Sequence, residues 1–194
     1  MTKKLLIVID CQNDFITGAL RNEEAIRKLP DVVKLIKEHE GTVIATRDTH
    51  FTKDQIKAWP MEPGIAYEDS LEGKRLPVPH CIKGTPGWQI ADIVLEALEE
   101  KNTNGMKKYH VIDKLTFGYK DWEKELKFYD FDEIEICGFC TDICVVSNAL
   151  LLRAIYPNKK ITVNGNYCAG VTVDTHKTAL AAMKMCQIDV IDED

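Results

Sequence analysis

Residues 134–144 read Ile134-Glu135-Ile136-Cys137-Gly138-Phe139-Cys140-Thr141-Asp142-Ile143-Cys144. The first five form a short apolar, β-branched run, as a strand does, and residues 142–156 then take up helical spacing. A second apolar run follows at 161–164. Strand, helix and strand in that order make parallel neighbours joined by a right-handed crossover. The same alternation extends outward in both directions. Residues 4–10, 42–47, 110–113 and 188–191 read as four more strands, while 23–39, 89–100, 122–128 and 174–185 have helical period. The strands are nearly continuous in apolar residues, which suits strands covered on both faces. The prediction is an α/β fold with a parallel sheet between helices.

One stretch departs from this rhythm. Across residues 48–88, Pro60, Pro63, Pro77, Pro79, Pro86 and four glycines interrupt every period. A proline-rich excursion of that length within a compact fold is more often functional than idle.

The 194 residues are expected to form a single domain over 1–194, with hydrophobic residues at 45%. Lys plus Arg total 25 against 31 for Asp plus Glu, a net charge of −6, and no basic run is longer than the pair Lys107-Lys108. Nucleic acid is therefore excluded as a partner. The apolar run at 5–9 ends at Asp10, far short of the roughly 20 residues that a membrane span requires. Lys3 and Lys4 precede it as in a signal peptide, but the run is too short and no small-residue cleavage site follows. Seven cysteines, an odd number at irregular spacing, fit reduced thiols better than a disulfide framework. These features predict a cytoplasmic protein.

In an open parallel sheet, ligands bind beyond the carboxyl ends of the strands. The strand ends here carry Asp10, Asp48, Lys114 and the segment from Gly138 to Cys144. Cys144 is the sharpest candidate. With Thr141 or Asp142 as N-cap it would lie in the first helical turn, where free N–H groups and the helix dipole lower a thiol's pKa. The same N–H groups could hold an oxyanion. Lys114 closes an apolar strand and would favour thiolate over thiol. Asp10, after five apolar residues, could take the thiol proton and pass it to a leaving amine. Each residue alone also has a plainer reading. Cys144 could fill the strand–helix joint, Lys114 could reach solvent, and Asp10 could cap a turn. Three such residues on one rim are unlike three coincidences.

Asp48 and His50 are two apart on an extended segment and point the same way, and His80 arrives from the proline-rich excursion. Together they supply N and O ligands suited to Zn²⁺, Mn²⁺ or Fe²⁺. Asp54, Glu62, Glu68 and Glu72 are additional acids within reach in sequence, of which Glu72 is the preferred fourth ligand. Cys137-Gly-Phe-Cys140 matches a C-x-x-C motif, but no second such pair exists for a zinc knuckle. Its place after the fourth strand also differs from that of a thioredoxin-like redox pair.

Taken together, these motifs resemble the isochorismatase-like cysteine hydrolases and, within them, the nicotinamidase branch. Asp10-Cys11-Gln12-Asn13-Asp14-Phe15 resembles the opening D-x-Q-x-D-F motif, and Asp48-Thr49-His50 with residues 79–85 resembles the metal motifs. Residues 113–117 resemble the lysine segment and residues 138–145 the nucleophile segment. The resemblance implies a three-layer α/β/α sandwich with a six-stranded parallel sheet and an Asp10–Lys114–Cys144 triad. It also implies a cis peptide at Phe139–Cys140 and an oxyanion hole from the N–H groups of Cys140 and Cys144. One divalent ion, zinc first and manganese or iron next, would be held by Asp48, His50 and His80, with Glu72 near the place of a further acidic ligand. The implied reaction is hydrolysis of nicotinamide to nicotinate and ammonia through a Cys144 thioester, a step of NAD salvage. The implied assembly is a homo-oligomer. Two positions depart from the pattern. Pro77 stands where an aromatic residue usually stacks on the substrate ring, leaving Phe15, Phe117 or Trp59 for that task, and Cys140 stands where a small residue is usual. The same hydrolysis of another small amide or carbamoyl compound is the alternative within the family. A non-catalytic metal- or thiol-binding protein is the alternative outside it.

Overall fold

The computed structural model describes residues 2–58, 65–102 and 108–191. Six strands, β1 (Lys4–Ile9), β2 (Val43–Asp48), β3 (Tyr109–Lys114), β4 (Glu133–Phe139), β5 (Lys160–Ala169) and β6 (Asp189–Ile191), form one parallel sheet in the order β3-β2-β1-β4-β5-β6. The central strands are the most apolar and the most buried. Every residue of β1 after Lys4 is inaccessible, whereas β6 at the edge is largely exposed. This is the α/β fold expected from the alternation.

Helices α1 (Asn13–Ile16), α2 (Glu23–Glu38), α3 (Lys53–Ala58), α4 (Leu71–Arg75), α5 (Asp92–Glu99), α6 (Trp122–Leu126), α7 (Val146–Ile155) and α8 (Val173–Met185), with a 3₁₀ turn at Tyr67–Asp69 and a π turn at Thr141–Val145, complete the described elements. In α2, Ala25, Leu29, Val32 and Ile36 recur at helical spacing and are all buried, and Asn22 caps its start by accepting the Ala25 N–H. Helix α2 packs on β5, β4 and α5, while α7 packs on β5, α6 and α8. Right-handed crossovers running outward from the centre in opposite directions place these two sets on opposite faces. No helix among the described residues is long and apolar enough to cross a membrane.

The strand order reverses between β1 and β4, and the crevice at such a switch point is where open α/β sheets bind ligands. Close approach of those two strands requires Gly138. Its φ is +118°, and a Cβ there would lie 2.0 Å from the Ile9 carbonyl oxygen. The Phe139–Cys140 peptide that follows is cis.

Several expectations are corrected. Strand β5 runs to Ala169, well past the apolar run at 161–164, because a register shift between Ile136 and Gly138 lets it pair again with the end of β4. The excursion was expected to break every helical period, yet it contains α3 and α4. These are short enough, at six and five residues, to fit between the prolines and glycines.

Candidate active site

Strand register brings the rim residues together. Asp48 and Lys114 are paired neighbours at the ends of β2 and β3, and Asp10 directly follows β1. Lys114 does not reach solvent. It is completely buried, with Nζ 2.7 Å from Asp10 Oδ2, 3.2 Å from Asp48 Oδ1 and 3.4 Å from Cys144 Sγ. A fourth contact, to the Thr116 carbonyl at 3.3 Å, fills its surroundings. Asp10 has a φ of 49° and is held by Thr46, whose hydroxyl donates to Oδ1 at 2.7 Å and accepts the Asp10 N–H at 3.2 Å. Its other oxygen has no hydrogen bond of good geometry despite lying beside Lys114. Burial pushes the Asp10 carboxyl up, against the pull of Lys114.

Cys144 lies in a wide turn at Thr141–Val145, leading into α7. The Cys140 carbonyl accepts from Ile143 N–H at 3.2 Å and Val145 N–H at 3.0 Å, passing over the N–H of Cys144 between them. Asn148, one turn on, donates to the Cys144 carbonyl at 2.8 Å and to the Phe117 carbonyl at 3.0 Å. Neither expected cap forms. The Asp142 carboxylate accepts from Val171 N–H, and the Thr141 hydroxyl pairs with His176 Nδ1 at 2.7 Å. The thiol is also not shifted down as a first-turn cysteine was expected to be. Complete burial pushes it up, opposed by the Lys114 charge and reinforced by Asp10 and Asp48. Cys140 is pushed up to about 12, chiefly by burial. Cys140 and its C-x-x-C partner Cys137 both belong to the hydrophobic core, and of the two Cys140 also lines the cavity; all seven cysteines are free.

The excursion folds back onto the sheet rim. His50 and Ile82 form a parallel bridge, with His50 N–H donating to the Cys81 carbonyl and Lys83 N–H to the His50 carbonyl, each at 2.9 Å. Asp48, His50, Glu72 and His80 thereby converge, one donor atom from each lying within 4.8 Å of every other. His50 Nε2 is 3.0 Å from Asp48 Oδ2 and 3.5 Å from Glu72 Oε1, and His80 Nε2 is 3.7 Å and 3.4 Å from the same two atoms. Among the acids offered by the sequence, Glu72 joins the group; Asp54 and Glu68 do not, and Glu62 lies outside the described residues. His80 Nδ1 sits 2.9 Å from the Val78 carbonyl, which can only accept, so that nitrogen carries the proton and Nε2 is left as a donor atom. Two imidazoles and two carboxylates, three of them buried, suit a borderline divalent cation. The four side chains form a candidate divalent-metal site.

Cys144 and all four candidate metal donors line one cavity of about 590 Å³, while Asp10 and Lys114 are fully buried and do not line it. Phe15 is buried in its wall with its ring edge-on to His80, and Phe117 stands half-exposed at its lip. Trp59 lies outside the described residues. Sequence reasoning did not find Tyr67. This ring is buried, lines the cavity and packs edge-on against both His50 and His80, with centroids 4.9 Å and 5.3 Å away. Its position depends on Ser70, which accepts the Gly73 N–H and turns the chain from Tyr67 into α4. An ST-type turn signal at Ser70 was the one sequence cue available.

A family model described as the isochorismatase domain matches residues 4–194. The chain belongs to the isochorismatase family. A nicotinamidase of Saccharomyces cerevisiae is 27% identical over 98% of this chain and all of its own length. The crystal structure of a nicotinamidase from Bacillus subtilis is 27% identical, with a TM-score of 0.78 over 98% of this chain and 100% of that one. A pyrazinamidase of Pyrococcus horikoshii, solved in complex with zinc, shares the fold at 24% identity and a TM-score of 0.72, covering 98% of this chain and 99% of that one. Membership agrees with the motif resemblance, and both structural matches cover 98% of this chain.

Proposed function

We propose that this protein is a nicotinamidase, a cysteine amidohydrolase that converts nicotinamide to nicotinate and ammonia, a reading supported by the nicotinamidases it resembles. The observation that carries the reading is Lys114 Nζ, which lies against Asp10, Cys144 and Asp48 at once and so ties a thiol and a base to the metal donors of the same cavity.

In this reading Asp10 removes the proton from Cys144 as the sulfur attacks the amide carbonyl carbon. Because burial raises both the thiol and the carboxyl, the proton moves with the attack and no resting thiolate is needed. The N–H groups of Cys140 and Cys144 receive the oxyanion. Asp10 then returns its proton to the amide nitrogen, the C–N bond breaks, and ammonia leaves a thioester on Cys144. Water loses a proton to Asp10 as it attacks the thioester; the C–S bond breaks and that proton restores the Cys144 thiol. Lys114 holds Asp10 in place and stabilises negative charge on sulfur.

Asp48, His50, Glu72 and His80 would hold one divalent cation, zinc by the balance of two nitrogen and two oxygen donors. When bound it supplies a Lewis-acid anchor for a pyridine nitrogen. Phe15, Tyr67 and Phe117 offer apolar and aromatic wall to a flat ring, in place of the aromatic residue missing at Pro77. Residues 1–194 serve this chemistry as a single domain.

Ammonia release from a small panel of amides tests the proposal. Nicotinamide and pyrazinamide should be hydrolysed far faster than acetamide or a carbamoylated amine. Turnover confined to a non-aromatic amide would retain the hydrolase and reject the nicotinamide assignment, and no release from any amide would reject both.

A further inference from the structure

Asp10 opens a segment whose later members take no part in the steps above yet brace the metal cluster from behind. Gln12 is fully buried. Its amide nitrogen donates to the Asp48 carbonyl at 2.9 Å and the Trp88 carbonyl at 2.8 Å, while its Oε1 accepts the Asp48 N–H at 2.7 Å. The main chain of Asp48 is thus gripped on both its donor and its acceptor. Asp14 treats the other side of the cluster in the same way. Its Oδ2 accepts the Cys81 N–H at 2.7 Å and its Oδ1 accepts the Ala19 N–H at 3.0 Å. Cys81 directly follows His80 and has a φ of 47°, a left-handed conformation that a residue with a Cβ adopts only when its surroundings impose it. A carboxylate on that N–H is a charge-assisted bond, roughly twice as strong as a neutral one. The seat is tight, since a Cβ on Gly87 would come within 2.2 Å of both Asp14 oxygens.

We propose that Gln12 and Asp14 are positioning residues of the metal centre. Asp14 fixes the left-handed turn that aims His80, and Gln12 fixes the strand end that aims Asp48. Cation affinity therefore depends on two side chains that never touch the ion. The inference rests on the reading of Asp48, His50, Glu72 and His80 as a cation site. It assigns the segment 10–15 a division of labour: the first residue serves the thiol, and the third and fifth serve the metal ligands.

The test is the Zn²⁺ dissociation constant, measured by competition with a chromophoric chelator, for the unmodified protein and for Asp14→Asn, Asp14→Ala, Gln12→Leu and His80→Ala. Losing a partner that orients a ligand commonly weakens metal binding by about 10–100-fold, and that is the loss expected for Asp14→Ala and Gln12→Leu. Asp14→Asn keeps one carbonyl acceptor and should fall between the unmodified protein and Asp14→Ala. Alkylation of Cys144 by iodoacetamide, in metal-free protein, should stay within about twofold in the Asp14 variants, as expected for a site independent of the thiol. Unchanged affinity in His80→Ala would reject the metal site itself. A weakened His80→Ala beside unchanged Asp14→Ala and Gln12→Leu would overturn the positioning role alone. So would thiol reactivity that falls in step with zinc affinity, which marks general loosening. If the alanine or leucine variant does not fold, Asp14→Asn decides the matter, and full affinity there overturns the proposal.

Discussion

Asp10, Lys114 and Cys144 leave the ends of strands β1 and β3 and the turn after β4, whereas three of the four candidate metal donors, His50, Glu72 and His80, come from the excursion between β2 and α5. The first group inherits its geometry from sheet register and is almost sealed from water. The second depends on a loop folding back, held by one parallel bridge and by side-chain braces such as Asp14. The difference teaches where each half is vulnerable. Damage to the strand-end group should alter chemistry while the protein stays folded, and damage to the excursion should alter ligand affinity before it alters chemistry.

The largest expected effect is at the proposed nucleophile. Cys144→Ala should lower amide turnover by at least about 10³-fold, with an unchanged circular dichroism spectrum, since it removes the bond-forming atom. Cys140→Ala should keep most of the activity, because only its main-chain N–H is given a role. An active Cys144→Ala beside an inactive Cys140→Ala would reverse the assignment. Next comes the excursion. His50→Ala, or treatment with a chelator, should raise KM for nicotinamide by about 10–100-fold and change thiol alkylation far less. Normal binding and turnover in the chelated protein would erase the contrast between the two halves.

A smaller effect is expected at Lys114. The thiol is raised by burial, so in metal-free protein alkylation of Cys144 should still be climbing at pH 9 as the thiolate fraction grows. Lys114 opposes that rise, and Lys114→Ala moves the curve to higher pH. At neutral pH this slows alkylation by about tenfold or more, the effect of losing a neighbouring opposite charge. Identical pH curves would leave Lys114 without influence on the thiol. The smallest effect is at Tyr67. Its hydroxyl donates to the Leu76 carbonyl at 2.5 Å, and Tyr67→Phe keeps the ring against both histidines. The loss should be about 1 kcal/mol of stability in urea unfolding, with KM unchanged. A raised KM would show that the hydroxyl, not only the ring, shapes the cavity.

The strand-end residues were legible because an ionisable group that terminates an apolar run is conspicuous in one dimension. Asp10 and Lys114 stand out for that reason, and the alternation of strand and helix already placed them on one rim. Asp48 and His50 were legible through the two-residue period of an extended chain. His80 required the excursion to return, which periodicity does not encode; it was offered as a ligand type delivered by the proline-rich stretch, and the family motif then supported it. Tyr67 was missed because what makes it notable is contact with two histidines 17 and 13 positions away. The direction of the Cys144 shift was misjudged for a related reason. The local argument from a helix start was sound, but complete burial is a property of the assembled sheet, turn and loop, and its desolvation outweighs the dipole.

The Asp48–Lys114 register has a consequence for how such a site can change over time. One ammonium balances two carboxylates, Asp10 beside the thiol and Asp48 in the candidate metal site, so under the proposed roles neither can be replaced in isolation. A descendant that discarded the cation by turning Asp48 into an apolar residue would leave Lys114 leaning wholly on Asp10, making that base a poorer proton acceptor. Loss of the metal would therefore have to be accompanied by a new acceptor beside Lys114. Sites of this architecture should diversify by paired substitutions across β2 and β3, and a single change at either strand end should be an evolutionary dead end.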